Sequence, residues 1–99
     1  VSKPVLAWHF LAADRRMAHE NEIVKPGYIY TCDGDLRLCE SGLHASVRAI
    51  DAICYAPGPT VCRVRCSGEI IHGDDKLVSR NREVLWMENA SSVLRLIAA

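Results

Sequence analysis

The 99-residue sequence carries no excess of charge: Lys plus Arg and Asp plus Glu each number 12, so the formal net charge is zero. Such a balance favours neither the basic footprint of a nucleic-acid binder nor an acidic surface imitating DNA. No apolar run approaches the roughly 18 to 20 residues that a membrane-crossing helix needs. No basic start followed by an apolar stretch marks a secretory leader. Together these absences point to a cytoplasmic protein without a membrane role. The five cysteines leave one over in any full pairing, and a cytosolic setting keeps them as free thiols. Repeats and low-complexity tracts are also missing, and strand and helix signals do not alternate as in a doubly wound sheet.

The familiar signatures of catalysis are missing too. There is no Walker phosphate loop, no G-x-G-x-x-G turn, no G-x-S-x-G elbow and no H-E-x-x-H helix. Gly73-Asp74-Asp75-Lys76 lacks the spaced oxygen ligands of a calcium loop and reads as a turn. Cys62 and Cys66 fall on one extended segment, where four residues span about 13 Å. Two thiolates sharing a zinc ion lie within about 4.6 Å of each other, so these two cannot share a metal, and the same gap forbids a disulfide between them. Cys39 and His44 lie across a turn, with Cys32 near through a hairpin, but no C-x2-C knuckle supports a zinc site. Cys39 with His44 is also the candidate nucleophile and base pair, set against the commoner role of free cysteines as small core hydrophobes. The reading assigns no metal, no cofactor and no catalytic residue.

The length is that of one domain, residues 1–99, with a single core. Val5 to Leu11 is almost wholly apolar and reads as a central strand covered on both sides. Tyr28 to Cys32, rich in aromatic and β-branched residues, is expected to pair through an Asp33-Gly34 turn with a returning Leu36 to Cys39 strand. Ser46 is the expected cap of a helix with Val47, Ile50, Ile53 and Cys54 on one side, ended by Pro57-Gly58-Pro59. Thr60 to Cys66 alternates, Cys62, Val64 and Cys66 against Arg63 and Arg65, and continues past Gly68 into Ile70-Ile71. Leu77 to Met87 is another extended segment. Asn89 is the expected cap of a last helix with Ala90, Val93, Leu94 and Ile97 as its stripe. The expected fold is therefore α+β, a mainly antiparallel small sheet with two packed helices.

Candidate binding residues gather around Gly42-Leu43-His44-Ala45-Ser46. Gly42 permits close backbone approach, and a helix opening at Ser46 would offer free amides, with Arg48 beside them, to a small anion. A plainer role for His44 is a ring that bonds a backbone carbonyl and fixes the loop. Arg48, Asp51 and Tyr55 line up as a polar stripe that is either a binding face or a solvated helix surface. Arg63 and Arg65 project from one strand face as a positive strip, which more often balances nearby carboxylates than binds nucleic acid.

Trp8-His9-Phe10, Leu38-Cys39-Glu40-Ser41-Gly42-Leu43-His44-Ala45-Ser46, Asp51-Ala52, Tyr55-Ala56-Pro57-Gly58, Val64, Gly68-Glu69-Ile70, Asp74 and Lys76 together resemble a domain-of-unknown-function family of phages, prophages and bacteria. Its hallmark is a C-x-x-G-L-H segment before a helix containing D-A and a tyrosine. The resemblance covers nearly the whole chain and brings no catalytic residues with it. It implies a small accessory protein that acts by binding a host or phage protein, such as a component of a bacterial defence system. A fainter likeness to ADP-ribosyltransferase-type folds supports the alternative, a small-ligand domain or enzyme centred on Cys39 to Tyr55. A homodimer through a strand edge or the C-terminal helix is a third expectation.

Overall fold

The computed structural model describes residues 3–15, 23–38 and 42–91. Its frame is a long antiparallel hairpin of β4 (Thr60–His72) and β5 (Leu77–Asn89), joined by the turn at residues 73–76, where the Gly73 amide donates to the Lys76 carbonyl at 2.7 Å. The alternation in β4 determines its two faces: Cys62, Val64 and Cys66 are fully buried, while Arg63 and Arg65 point outward. β1 (Val5–Leu11) pairs antiparallel with β4. β2 (Ile29–Thr31) and β3 (Leu43–Ala45) both pair with the other side of β5.

Two irregularities bend the hairpin. Pairing slips between Arg63 and Val64, where Leu85 is the extra residue of β5, and again between Ser67 and Ile70. Gly68 lies in the second slip with φ +75, a conformation that glycine adopts without steric cost. Such bulges increase strand twist, and the sheet curls. Just after β3 the chain reaches the free side of β1: the Trp8 amide donates to the Ser46 carbonyl at 2.7 Å and the Ser46 amide returns the bond at 2.9 Å. The two margins of the sheet therefore meet at Ser46, and the inner face becomes a small enclosed core of Ala7, Leu11, Val24, Ala45, Cys62, Val64, Cys66, Leu77, Val84 and Met87.

The expected pair of packed helices is not found. α1 (Ala49–Ile53) has five residues and buries only Ala52, and no helix among the described residues reaches seven residues. The fold is a curled antiparallel sheet, not an α+β layer. Ser46 does not cap α1, because its backbone is committed to Trp8; Arg48 occupies the cap position without a side-chain cap bond. Of the expected last helix, residues 92–99 lie outside the described residues. β5 runs through Asn89, whose side chain accepts from the Ser91 amide at 2.9 Å.

Two further expectations change. Val5–Leu11 is a strand over the expected range, but it lies at the end of the order β1-β4-β5-β2 and leaves Leu6 47% exposed. Among the described residues no strand returns through Asp33-Gly34 to pair with β2; Cys39, the end of the expected return, lies outside them. β2 takes β5 as its partner, and Arg80 holds the loop by donating to the carbonyls of Cys32, at 2.8 Å, and Gly34. A strand as long as β5 offers many backbone bonds and a guanidinium together, more than a short local return strand supplies. Among the described residues no helix is long and apolar enough to cross a membrane.

Candidate functional site

Residues paired across neighbouring strands share a face, so the register defines two surfaces. On the outer face one row runs Leu6, Arg65, Glu83, Ile29 and the next runs Trp8, Arg63, Trp86. The Arg63 guanidinium stands 4.4 Å from the Trp8 ring centroid, and the Trp8 and Trp86 rings meet edge to face at 5.8 Å. Arg65 pairs with Glu83 at 2.9 Å. The two arginines therefore do not form a free positive strip: one is stacked and the other is neutralised. Leu6, Ile29 and Trp86 leave 47%, 63% and 43% of their surface in solvent.

The inner face holds basic groups of its own, Arg82 and His9. One row runs Val5, Cys66, Arg82, Tyr30, and a second runs His9, Cys62, Met87. Arg82 is only 4% exposed, yet no acidic side chain pairs with it among the described residues. Its Nη1 donates to the His44 carbonyl at 2.8 Å, while its Nε is sealed from solvent with no hydrogen-bond partner. Burial lowers its pKa, opposed by Cys66, Cys62 and Tyr30. His9 is half-buried as a residue, and its ring lies deep enough that desolvation, then the charge of Arg82, then His44 hold its pKa well below 6.5. Burial pushes the Cys62 thiol up to about 11 and raises Cys66 as well, against the pull of Arg82. At neutral pH both thiols are therefore protonated, and neither supplies a negative charge.

The other candidates sit apart from this interior. His44 is half-buried on β3, next to His9 in electrostatic terms and joined to Arg82 through its backbone. Arg48 is largely exposed and 3.9 Å from Asp51, a surface pair. Tyr55 leaves that stripe: its hydroxyl donates to Asp75 Oδ2 at 2.6 Å, and Lys76 Nζ lies 4.4 Å from its ring centroid. It fastens the end of α1 to the β4–β5 turn. Cys39 lies outside the described residues. Cys32, Cys54, Cys62 and Cys66 are free thiols, and no group of three or more metal-ligating side chains gathers among the described residues.

Residues 6–96 match a family described as Domain of unknown function (DUF7666). The chain belongs to that family. No curated protein and no solved structure matches the chain. For this DUF7666 domain, chemistry must therefore be read from its own side chains. Arg82 is not among the residues that the sequence singles out, because the alternation of Leu77 to Met87 is not followed residue by residue there. Counting back two residues from Val84 places Arg82 on the buried face; only the bulge at Leu85, invisible in the sequence, brings Met87 onto that same face.

Proposed function

We propose that this domain is a non-enzymatic protein-binding module that docks its partner on the outer sheet face. The observation that carries the reading is the Trp8, Arg63, Trp86 stack, beside the row that carries the exposed Leu6 and Ile29. Tryptophan and arginine are enriched in binding hot spots: tryptophan buries a large area with few rotatable bonds and keeps one polar handle, and arginine adds a planar, multiply donating charge. Here Arg63 is already held over Trp8, so docking would immobilise little that is not ordered beforehand. The Arg65 and Glu83 pair, lying between Leu6 and Ile29, brings polar groups whose charges are already matched. In the phage setting that the sequence resemblance implies, the partner sought is a host or phage protein, a bacterial defence component being the narrower form.

The test is affinity capture from a bacterial lysate with the natural chain and with Trp86→Glu, which places a charge at the centre of the patch. Circular dichroism checks that both are folded. One stoichiometric partner retained by the natural chain and lost by the variant supports the reading. No stoichiometric partner, or the same partner on both, ends it. Light scattering on the same two proteins shows whether the captured partner is a second copy of this chain.

A further inference from the structure

The outer sheet face carries two charges that the domain leaves unmatched. Arg63 and Trp86 lie directly across from each other in the β4–β5 register, and Val61 and Glu88 form the next pair on the same face. Arg63 and Glu88 are therefore diagonal neighbours, about 7 to 8 Å apart at the backbone and within reach of two long side chains. They do not meet. Arg63 is drawn the other way, over the Trp8 ring of β1 at 4.4 Å, where its Nη1 donates to the Ala7 carbonyl at 3.5 Å. Glu88 is exposed, and no ion pair among the described residues includes either side chain, whereas Arg65 on the same face is matched by Glu83 at 2.9 Å. A guanidinium stacked on a ring uses its face and keeps its N–H groups in its own plane. The Nε and Nη2 of Arg63 are not sealed from solvent, so that edge is left for a carboxylate.

One unmatched cation and one unmatched anion beside an exposed tryptophan make a patch that is complementary to itself. When two copies meet face to face about a two-fold axis that bisects the Arg63–Glu88 diagonal, Arg63 of each copy faces Glu88 of the other. Trp86 lies beside that bisector and meets its own counterpart. We propose that the free domain pairs with a second copy of itself through this face, held by reciprocal Arg63–Glu88 ion pairs around a Trp86–Trp86 contact. The pairing uses the docking face of the preceding reading and supplies its regulation: the second copy keeps Trp86 out of water until a partner displaces it. The curl of the sheet makes the outer face convex, so contact is confined to its crest. Such a small interface is weak, as suits a surface that has to be vacated.

The experiment is sedimentation equilibrium of the full chain from about 1 μM to about 1 mM, the range over which a weak interface dissociates. The natural chain should pass from monomer to dimer across that range. Arg63→Glu and Glu88→Arg should each weaken the association at least roughly tenfold, because each brings like charges together. Mixed in equal amounts, the two variants should pair again, since one copy then carries both anions and the other both cations. An ion pair within one copy cannot produce that recovery. Should Arg63→Glu not fold, Glu88→Arg, which leaves the Trp8 stack untouched, carries the test against the natural chain. A natural chain that stays monomeric, single variants as dimeric as the natural chain, or a mixture no more associated than its components overturns the pairing. A monomer that still captures a partner through Trp86 overturns the pairing and leaves the docking reading standing. A dimer whose partner capture ignores Trp86→Glu does the reverse.

Discussion

At the scale of single residues, Arg82 and Gly42 show how position decides what a side chain costs. Gly42 has φ +114, and a Cβ there would strike Val78 Cγ2 and lie 2.8 Å from Leu36 Cδ2. Gly42→Ala should therefore destabilise by about 1 to 3 kcal/mol through combined backbone strain and overpacking, measured as a lower urea midpoint with unchanged slope. The glycine was legible as a turn residue that allows close approach. That it also leaves room for Val78 was not, because only the fold puts β5 underneath it. Arg82 predicts the opposite sign. Met has a similar length and no charge to bury, so Arg82→Met should leave stability unchanged or raise it, whereas Arg82→Ala should lose about 2 to 4 kcal/mol through the cavity it opens. A large loss in both variants would mean that the bond to the His44 carbonyl outweighs the buried charge. Thiol reactivity follows the same logic of place. Cys54 is exposed, Cys32 is half-buried, and Cys62 and Cys66 are buried with raised pKa values. Among these four, iodoacetamide at mildly alkaline pH should modify Cys54 first and reach Cys62 and Cys66 only on unfolding, which peptide mapping by mass spectrometry reads site by site.

Among the elements, the segments with clear alternation were legible and those relying on local turn or cap signals were not. The alternation of Cys62, Val64 and Cys66 against Arg63 and Arg65 is reproduced residue by residue in β4, and the charged turn at 73–76 joins it to β5 as its composition implies. Alternation survives because it records burial, which the fold must satisfy. The Asp33-Gly34 hairpin and the Ser46 cap rested on preferences worth about a kilocalorie per mole, and each lost to a competitor. β5 captured β2, and Trp8 captured the backbone of Ser46. The candidate site split for the same reason. Tyr55, expected beside Arg48 and Asp51, is drawn to Asp75 and Lys76 because α1 ends after a single short run and its C-terminus folds back over the hairpin turn. Tyr55→Phe should therefore loosen the 73–76 turn and leave the core intact. The expected outcome is faster amide exchange confined to that turn and α1, with a stability loss of about 0.5 to 1.5 kcal/mol. Faster exchange spread through β4 would show that the clasp supports the whole sheet.

For the whole molecule, closing the sheet on itself turns inner-face titratable groups into determinants of stability against pH, on opposite sides of neutrality. His9 has a native pKa held well below 6.5. Above that value neither state carries the proton. As pH falls through it, the unfolded chain takes up a proton that the native chain refuses, so stability falls by up to about 1.4 kcal/mol per pH unit until native His9 protonates too. Cys62 acts in the alkaline direction, its pKa raised from 9.0 to about 11. Through that window the unfolded thiol ionises while the native one stays neutral, and the native state loses about 2 to 3 kcal/mol by the upper end. Urea midpoints measured across pH should therefore show a plateau near neutrality with a fall on each side. His9→Gln should flatten the acid limb alone, and Cys62→Val should shrink the alkaline limb to the part that the raised Cys66 contributes. An acid limb unchanged by His9→Gln would show that another group than His9 governs the fall at low pH.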